Sequence, residues 1–178
     1  MLYAFGFDRV GVVASDIYFV DPHAGPGQEG AERGVRLELR VFERPELRGS
    51  MYSAQPIAVE RPIWRVDLLE SVAHPGSLDR AHHHPRFSGW EPGNRVFVEE
   101  LSADPVPWLA KRLQDFESVL DQAGIGRSDV GPDDVEDVRR AAPEILDAVQ
   151  RLLDGVQAGT LARPPDGGTP EQARRSWL

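Results

Sequence analysis

The stretch VRLELRV, residues 35–41, decides the fold class of this chain. Valine and leucine occupy every second position, and arginine or glutamate fills each position between them. Because successive side chains of a β-strand point to opposite faces, this alternation predicts a strand with one apolar face and one charged face. Residues 63–69 repeat the pattern, with Trp64, Val66 and Leu68 predicted on one face and Arg65 with Asp67 on the other.

Further short strands are predicted on either side of these two, at residues 2–7, 10–20, 51–59 and 95–98. Pro56 limits the third of them to a sheet edge or divides it, because proline lacks the amide hydrogen that a strand needs. Residues 23–34 are rich in glycine and are predicted to form a loop. Short strands joined by short polar turns favour an antiparallel meander over alternating strands and helices.

The second half of the chain has helical periodicity. Asp104 is a predicted helix cap with Pro105 in the first turn, and Gly124 is a predicted stop. The apolar stripe between them consists of Leu109, Leu113, Phe116 and Leu120. A second helical stretch runs from Asp133 to residue 155.

Pro143 predicts a kink in this second stretch or its division into two helices. The acidic residues 133–137 at its start are expected to be a solvated face. Residues 169–172 resemble a capping box, and the short turn that they begin ends at Trp177 and Leu178.

These patterns predict an α+β fold, with an antiparallel sheet from the N-terminal half packed by C-terminal helices. We expect one domain at residues 1–157, with its sheet at 1–100 and its helices at 103–155. Residues 158–178 are predicted to be a linker and a short tail.

The composition narrows the class of protein. The 178 residues include 20 Lys and Arg against 29 Asp and Glu, a formal charge of −9, and no cysteine. Disulfides, thiolate catalysis and Cys-ligated zinc are therefore excluded, and a broadly basic nucleic-acid surface is disfavoured. No apolar run reaches the roughly 20 residues of a membrane helix, and the N-terminus lacks a signal-peptide pattern. We therefore expect a cytoplasmic protein without a membrane partner.

The segment DRAHHHPRF, residues 79–87, is locally basic in this acidic chain. Pro85 disfavours helical angles at the residue before it, so the segment is predicted to be extended. Arg80, His82, His84 and Arg86 would then project together, with His83 on the opposite face. The preceding strand would supply Arg65 and Asp67, and the carboxylate could orient a histidine.

Three interpretations of this segment remain open. In the first, no cofactor is needed: Arg80 and Arg86 clamp a phosphate-bearing ligand, with Arg65 as a further ligand-binding residue. His82 and His84 then act as general acid and base, oriented by Asp67, in a phosphodiesterase or ribonuclease-like enzyme. The ligand would be a small anion or a short nucleic acid.

In the second interpretation, His82, His84 and Asp67 bind a divalent metal with one coordination position open. In the third, the segment is structural and the protein is a non-catalytic interaction or self-assembly module. Such a module would bind a protein partner or a second copy through the C-terminal helices or the tail around Trp177.

The segments at residues 63–69 (IWRVDLL), 74–75 (HP) and 80–87 (RAHHHPRF) resemble a family of proteins of unknown function from high-GC Gram-positive bacteria. They are also distantly similar to toxin-like domains of toxin–antitoxin pairs, over about residues 63–113. Those domains carry an aromatic-Arg-x-Asp strand, a His-Pro pair and a His-x-His cluster. The resemblance implies an α+β toxin-like fold and action on RNA, with three residues at the motif positions: Asp67, His82 and His84.

Overall fold

The computed structural model of the protein describes residues 1–21, 23–26 and 30–164. It confirms the predicted α+β class: a five-stranded antiparallel sheet from the N-terminal half packs against C-terminal helices. The predicted capping box at 169–172 and the tail around Trp177 lie outside the described residues. Within them, no helix combines the length and apolar character that a membrane crossing requires.

The main sheet is the predicted meander, because its strands pair antiparallel in chain order. Its strands are β1 (Leu2–Gly6), β2 (Val10–Val20), β3 (Ala31–Glu43), β4 (Ala58–Ser71) and β5 (His82–His84). A small hairpin, β6 (Phe87–Ser88) with β7 (Glu91–Pro92), follows β5. A single bridge between His83 and Val96 adds one more residue pair at the β5 edge.

Several predicted strands differ from the structure: of residues 95–98, only Val96 pairs, in the bridge to His83. Residues 51–57 are not a strand, because the chain turns at Ser50, whose carbonyl accepts a bond from the Ser53 amide at 2.9 Å. Strand β3 begins at Ala31, inside the stretch predicted to be a loop. Gly34 permits this extension, since a Cβ there would lie 2.0 Å from the Leu68 carbonyl oxygen on β4.

The apolar face of the sheet is covered by four helices, α1 (Glu99–Ala103), α2 (Pro105–Gln114), α3 (Phe116–Ala123) and α4 (Asp134–Gln157). The predicted alternation at 35–41 is confirmed: Val35, Leu37 and Leu39 are buried in the core that the helices cover. Trp64 and Trp108 stack there with ring centroids 6.2 Å apart. The opposite face of the sheet is left for the charged side chains.

The helical region is more divided than predicted in one place and less in another. Pro105 starts α2 as expected and Gly124 ends α3 in the left-handed region, with φ 74°, but the predicted single helix breaks at Asp115. In contrast, α4 continues through Pro143. Pro143 lies on the exposed side of α4, so its ring does not disturb the buried face.

The expectation of a solvated acidic face at the start of α4 is wrong for one residue. Asp134 is fully buried, and its carboxylate accepts bonds from three backbone amides, those of Asp8, Arg9 and Gly131. This carboxylate joins the β1–β2 turn to the beginning of α4. Asp8 and Arg9 are 126 and 125 residues from Asp134, so local charge patterning could not show this contact.

Candidate functional site

The charged face of the sheet carries two rows of side chains that run across β3, β4 and β5. The strand register places charged residues of opposite sign next to each other on β3 and β4, with a histidine beside each pair on β5. The first row is Arg36, Asp67 and His82, and the second is Glu38, Arg65 and His84. The structure thus brings together the predicted residues Asp67, His82, His84 and Arg65.

Asp67 is at the centre of the site and is 1 % exposed. Arg36 Nε donates to its Oδ1 at 2.6 Å, and Arg65 Nε lies 3.0 Å from its Oδ2. Burial alone would raise the pKa of the Asp67 carboxyl. The Arg36 guanidinium, the neighbouring imidazoles of His82 and His84, and the charge of Arg65 together hold that pKa well below its usual range. Asp67 is therefore a buried carboxylate at neutral pH.

Both histidines are held by backbone carbonyls. His82 Nδ1 lies 2.7 Å from the Arg80 carbonyl oxygen, and His84 Nδ1 lies 2.7 Å from the Gly93 carbonyl oxygen. A carbonyl oxygen only accepts hydrogen bonds, so each Nδ1 carries the proton and donates it. The Nε2 atoms then face Asp67 Oδ2, at 3.4 Å from His82 and 3.6 Å from His84.

Aromatic side chains enclose the two histidines, which are 1 % and 3 % exposed. The Phe97 ring lies 5.5 Å from His82, and the Phe87 ring lies 6.3 Å from His84. The Arg65 guanidinium carbon sits 5.6 Å from the centre of the Phe87 ring. A ligand therefore has to approach the centre of the site past these side chains.

His83 points to the opposite face, as predicted. Its ring packs 6.2 Å from Trp64 and 5.3 Å from Trp108 in the core. Burial, followed by the charge of Arg112 and of the neighbouring histidines, lowers the pKa of His83 to about 4. His83 is therefore a neutral core residue.

The two arginines predicted as anion clamps are separated. Arg86 Nε donates to the Gln122 carbonyl at the end of α3, at 2.6 Å. The predicted alternation fails there because β5 ends at His84, before Pro85. Arg80 Nε lies 3.9 Å from Asp79 and 4.0 Å from the buried Glu32.

Sequence reasoning missed Arg36, Glu38, Glu32 and Arg95 as neighbours of the site. Burial raises the pKa of Glu32, although the charges of Arg95, Arg80 and His82 counteract that shift. Neither Glu32 carboxylate oxygen has a hydrogen-bond partner among the described residues. Arg36 and Glu38 belong to the alternating stretch at 35–41, so a sequence signal existed, but only the strand register shows what they face.

The three ligand-type atoms fit a metal ion. His82 Nε2, His84 Nε2 and Asp67 Oδ2 all lie within 4.8 Å of one another. Ligand atoms at zinc's usual distances of 2.0–2.1 Å are about 3.4 Å apart in a tetrahedral site. The two Nε2–Oδ2 distances of 3.4 and 3.6 Å are close to that spacing.

Comparisons with protein-family models, with curated proteins and with solved structures each found no match. The resemblance to toxin-like domains therefore stays a prediction. The function has to be inferred from the site itself.

Proposed function

We propose that Asp67, His82 and His84 bind one divalent transition-metal ion, for which zinc fits best, and that the protein uses it for hydrolysis. One observation carries this proposal. Each histidine donates its Nδ1 proton to a backbone carbonyl and places its Nε2 atom beside the same carboxylate oxygen.

With neutral imidazoles, these Nε2 atoms present lone pairs to Asp67, and a lone pair repels a carboxylate unless a cation lies between them. A metal ion is such a cation, and metal-bound histidines characteristically donate their other ring nitrogen to a carbonyl or carboxylate. Asp67 has the matching outer contact, because Arg36 donates to Oδ1 and leaves Oδ2 facing the histidines. Imidazole nitrogens with one carboxylate are common zinc ligands.

Three protein ligands leave a fourth position for water. A bound zinc ion lowers the pKa of such a water to about 7 and makes hydroxide available at neutral pH. The low exposure of the three side chains shields this position from bulk solvent. Hydrolysis is therefore the chemistry that this ligand set supports best.

The contact of Arg65 with His84 favours a second candidate function. Arg65 Nη2 lies 3.0 Å from His84 Nε2. In this arrangement the guanidinium donates a hydrogen bond to the Nε2 lone pair that would otherwise bind a metal. A metal-free site would use the same arginines and histidines to bind an anion and transfer protons. The two candidates differ in whether zinc binds at all.

Zinc titration of the metal-free protein separates the two candidates. We expect one equivalent to bind to the wild type, and the His82→Ala/His84→Ala double variant to lose at least 100-fold in zinc affinity. His74→Ala is the matched control, because His74 is an exposed histidine outside the site, and it should bind zinc like the wild type. Circular dichroism checks that each variant is folded.

Cobalt(II) spectroscopy with Asp67→Asn provides a second measurement. The wild type should show the visible bands of a four-coordinate site, and the variant should show weakened bands. Equal zinc affinity in the wild type and the folded double variant would refute the metal site. Anion binding by a wild type that binds no zinc would support the metal-free candidate instead.

A further inference from the structure

The Arg65 guanidinium contacts two of the atoms that would bind the proposed metal ion. Its Nη2 lies 3.0 Å from His84 Nε2, and its Nε lies 3.0 Å from Asp67 Oδ2. The Nε contact is not aligned as a hydrogen bond, and Nε is buried without any other partner among the described residues. A metal ion bound to these ligands would therefore displace the guanidinium from both contacts.

The displaced guanidinium keeps one carboxylate oxygen nearby, Glu38 Oε1, which lies 3.9 Å from its Nη1. The other oxygen of that carboxylate, Glu38 Oε2, accepts two bonds from Arg40. Asp67 Oδ1 is taken by Arg36. One oxygen at 3.9 Å is a poor partner for a guanidinium that is 13 % exposed, so part of its desolvation cost stays uncompensated. An anion bound next to the metal would remove that cost.

The site also has an approach route on the side of Arg65. The Arg65 side chain is 13 % exposed and that of Arg36 is 24 % exposed, against 2 % for His82. Arg36 and Glu38 also line a groove of about 360 Å³ on the same sheet face, together with Arg40, Leu2 and Val59. A ligand can therefore place a charged end at Arg65 and a less polar part in this groove.

We propose, on the basis of the metal site above, that Arg65 binds a phosphate group coordinated to the metal, so that metal and phosphate bind cooperatively. A tetrahedral phosphate can give one oxygen to the metal and two to the forked guanidinium, which binds such groups bidentately. Arg36 adds positive charge on the same side. The phosphate belongs to inorganic phosphate or to a phosphate ester.

The cooperativity follows from thermodynamic linkage. Phosphate should raise the zinc affinity because it restores partners to Arg65, and zinc must raise the phosphate affinity by the same factor. Without zinc, phosphate has to compete with Asp67 for the same guanidinium, so its binding should be weak.

The test measures zinc affinity at free zinc concentrations set by a chelator buffer, with and without inorganic phosphate or phenyl phosphate. We expect either phosphate compound to lower the zinc Kd of the wild type at least 5-fold. A larger effect of phenyl phosphate would show that the groove binds the substituent of a phosphate ester. Equal effects would show that the site binds only the phosphate group. Both results support coupling at Arg65.

Two variants assign the effect to Arg65. Arg65→Met should keep zinc binding and lose the phosphate effect, whereas Arg86→Met should keep both, because Arg86 is bonded to Gln122 away from the site. No zinc binding by the wild type would overturn the metal site itself. Zinc binding without any phosphate effect, or an effect that survives in Arg65→Met, would overturn only the role of Arg65.

Discussion

At the scale of single residues, the protein buries carboxylates and gives each a different set of partners. Asp67 faces two arginines and two histidines on the sheet. Asp134 instead accepts backbone amides only. The lone pairs of the Asp134 carboxylate are directed at backbone amides, so Asp134 has a structural role. Asp67 Oδ2 instead faces the two histidines, which can bind a ligand together with it.

Replacing Asp134 by alanine should destabilise the protein by at least about 3 kcal/mol, since hydrogen bonds to a charged group contribute about 1.5–3 kcal/mol each. The amides of Asp8, Arg9 and Gly131 would lose their acceptor inside the protein. The free energy of unfolding in urea measures the effect. Asp133→Ala is the control, because Asp133 is exposed and makes no capping bond, and it should cost less than about 1 kcal/mol. Similar losses for both variants would contradict the structural role of Asp134.

At the scale of elements, β4 is the strand that joins the site to the core. Its residues alternate between Trp64 and Val66 in the core and Arg65 and Asp67 on the charged face. Strand β5 repeats this division, with His83 in the core and His82 and His84 on the charged face. The site is therefore held by strand pairing and core packing, which limits the movement of its ligand atoms.

Helix α4 offers a test at the same scale. Pro143 is exposed inside a continuous 24-residue helix, so it removes one backbone hydrogen bond without contributing to the core. Pro143→Ala should stabilise the protein by about 1–3 kcal/mol, because proline is about 3 kcal/mol less favourable than alanine inside a helix. Thermal and urea unfolding measure the gain. Glu144→Ala, at the next exposed position, should change stability by less than about 0.5 kcal/mol. A loss of stability in Pro143→Ala would show that the proline ring has a packing role.

At the scale of the whole molecule, the sheet has a protected centre and two edges. Strands β3 and β4 each pair on both sides, whereas β1 pairs only with β2. The helices cover one face, and on the other face the charged rows of the site run from β3 across β4 to the short edge strand β5. Asp67 thus lies on a strand that is paired on both sides, whereas His82 and His84 lie on an edge strand.

Hydrogen exchange measured by mass spectrometry should reflect this arrangement. Amides of residues 35–41 should exchange at least about 10-fold more slowly than those of β1, because central strands open only with larger unfolding events. Residues 46–52, all of them exposed, serve as the fast reference. Equal protection of β1 and residues 35–41 would show that the sheet unfolds as one unit from its edge.

The sequence by itself determined the fold class, the meander and the assignment of side chains to the two faces of the strands. These follow from local rules, since strand alternation and helix periodicity depend only on neighbouring residues. The same rules placed Arg65 with Asp67 on one face and separated His83 from His82 and His84.

Only the tertiary structure decided what those side chains contact. Strand register pairs Arg36 with Asp67 across 31 positions, and the carbonyl of Gly93 that holds His84 comes from a later loop. The end of β5 at Pro85 sends Arg86 to α3 instead of to the site. Register and loop paths depend on packing between distant parts of the chain, and a local pattern contains no information about that packing.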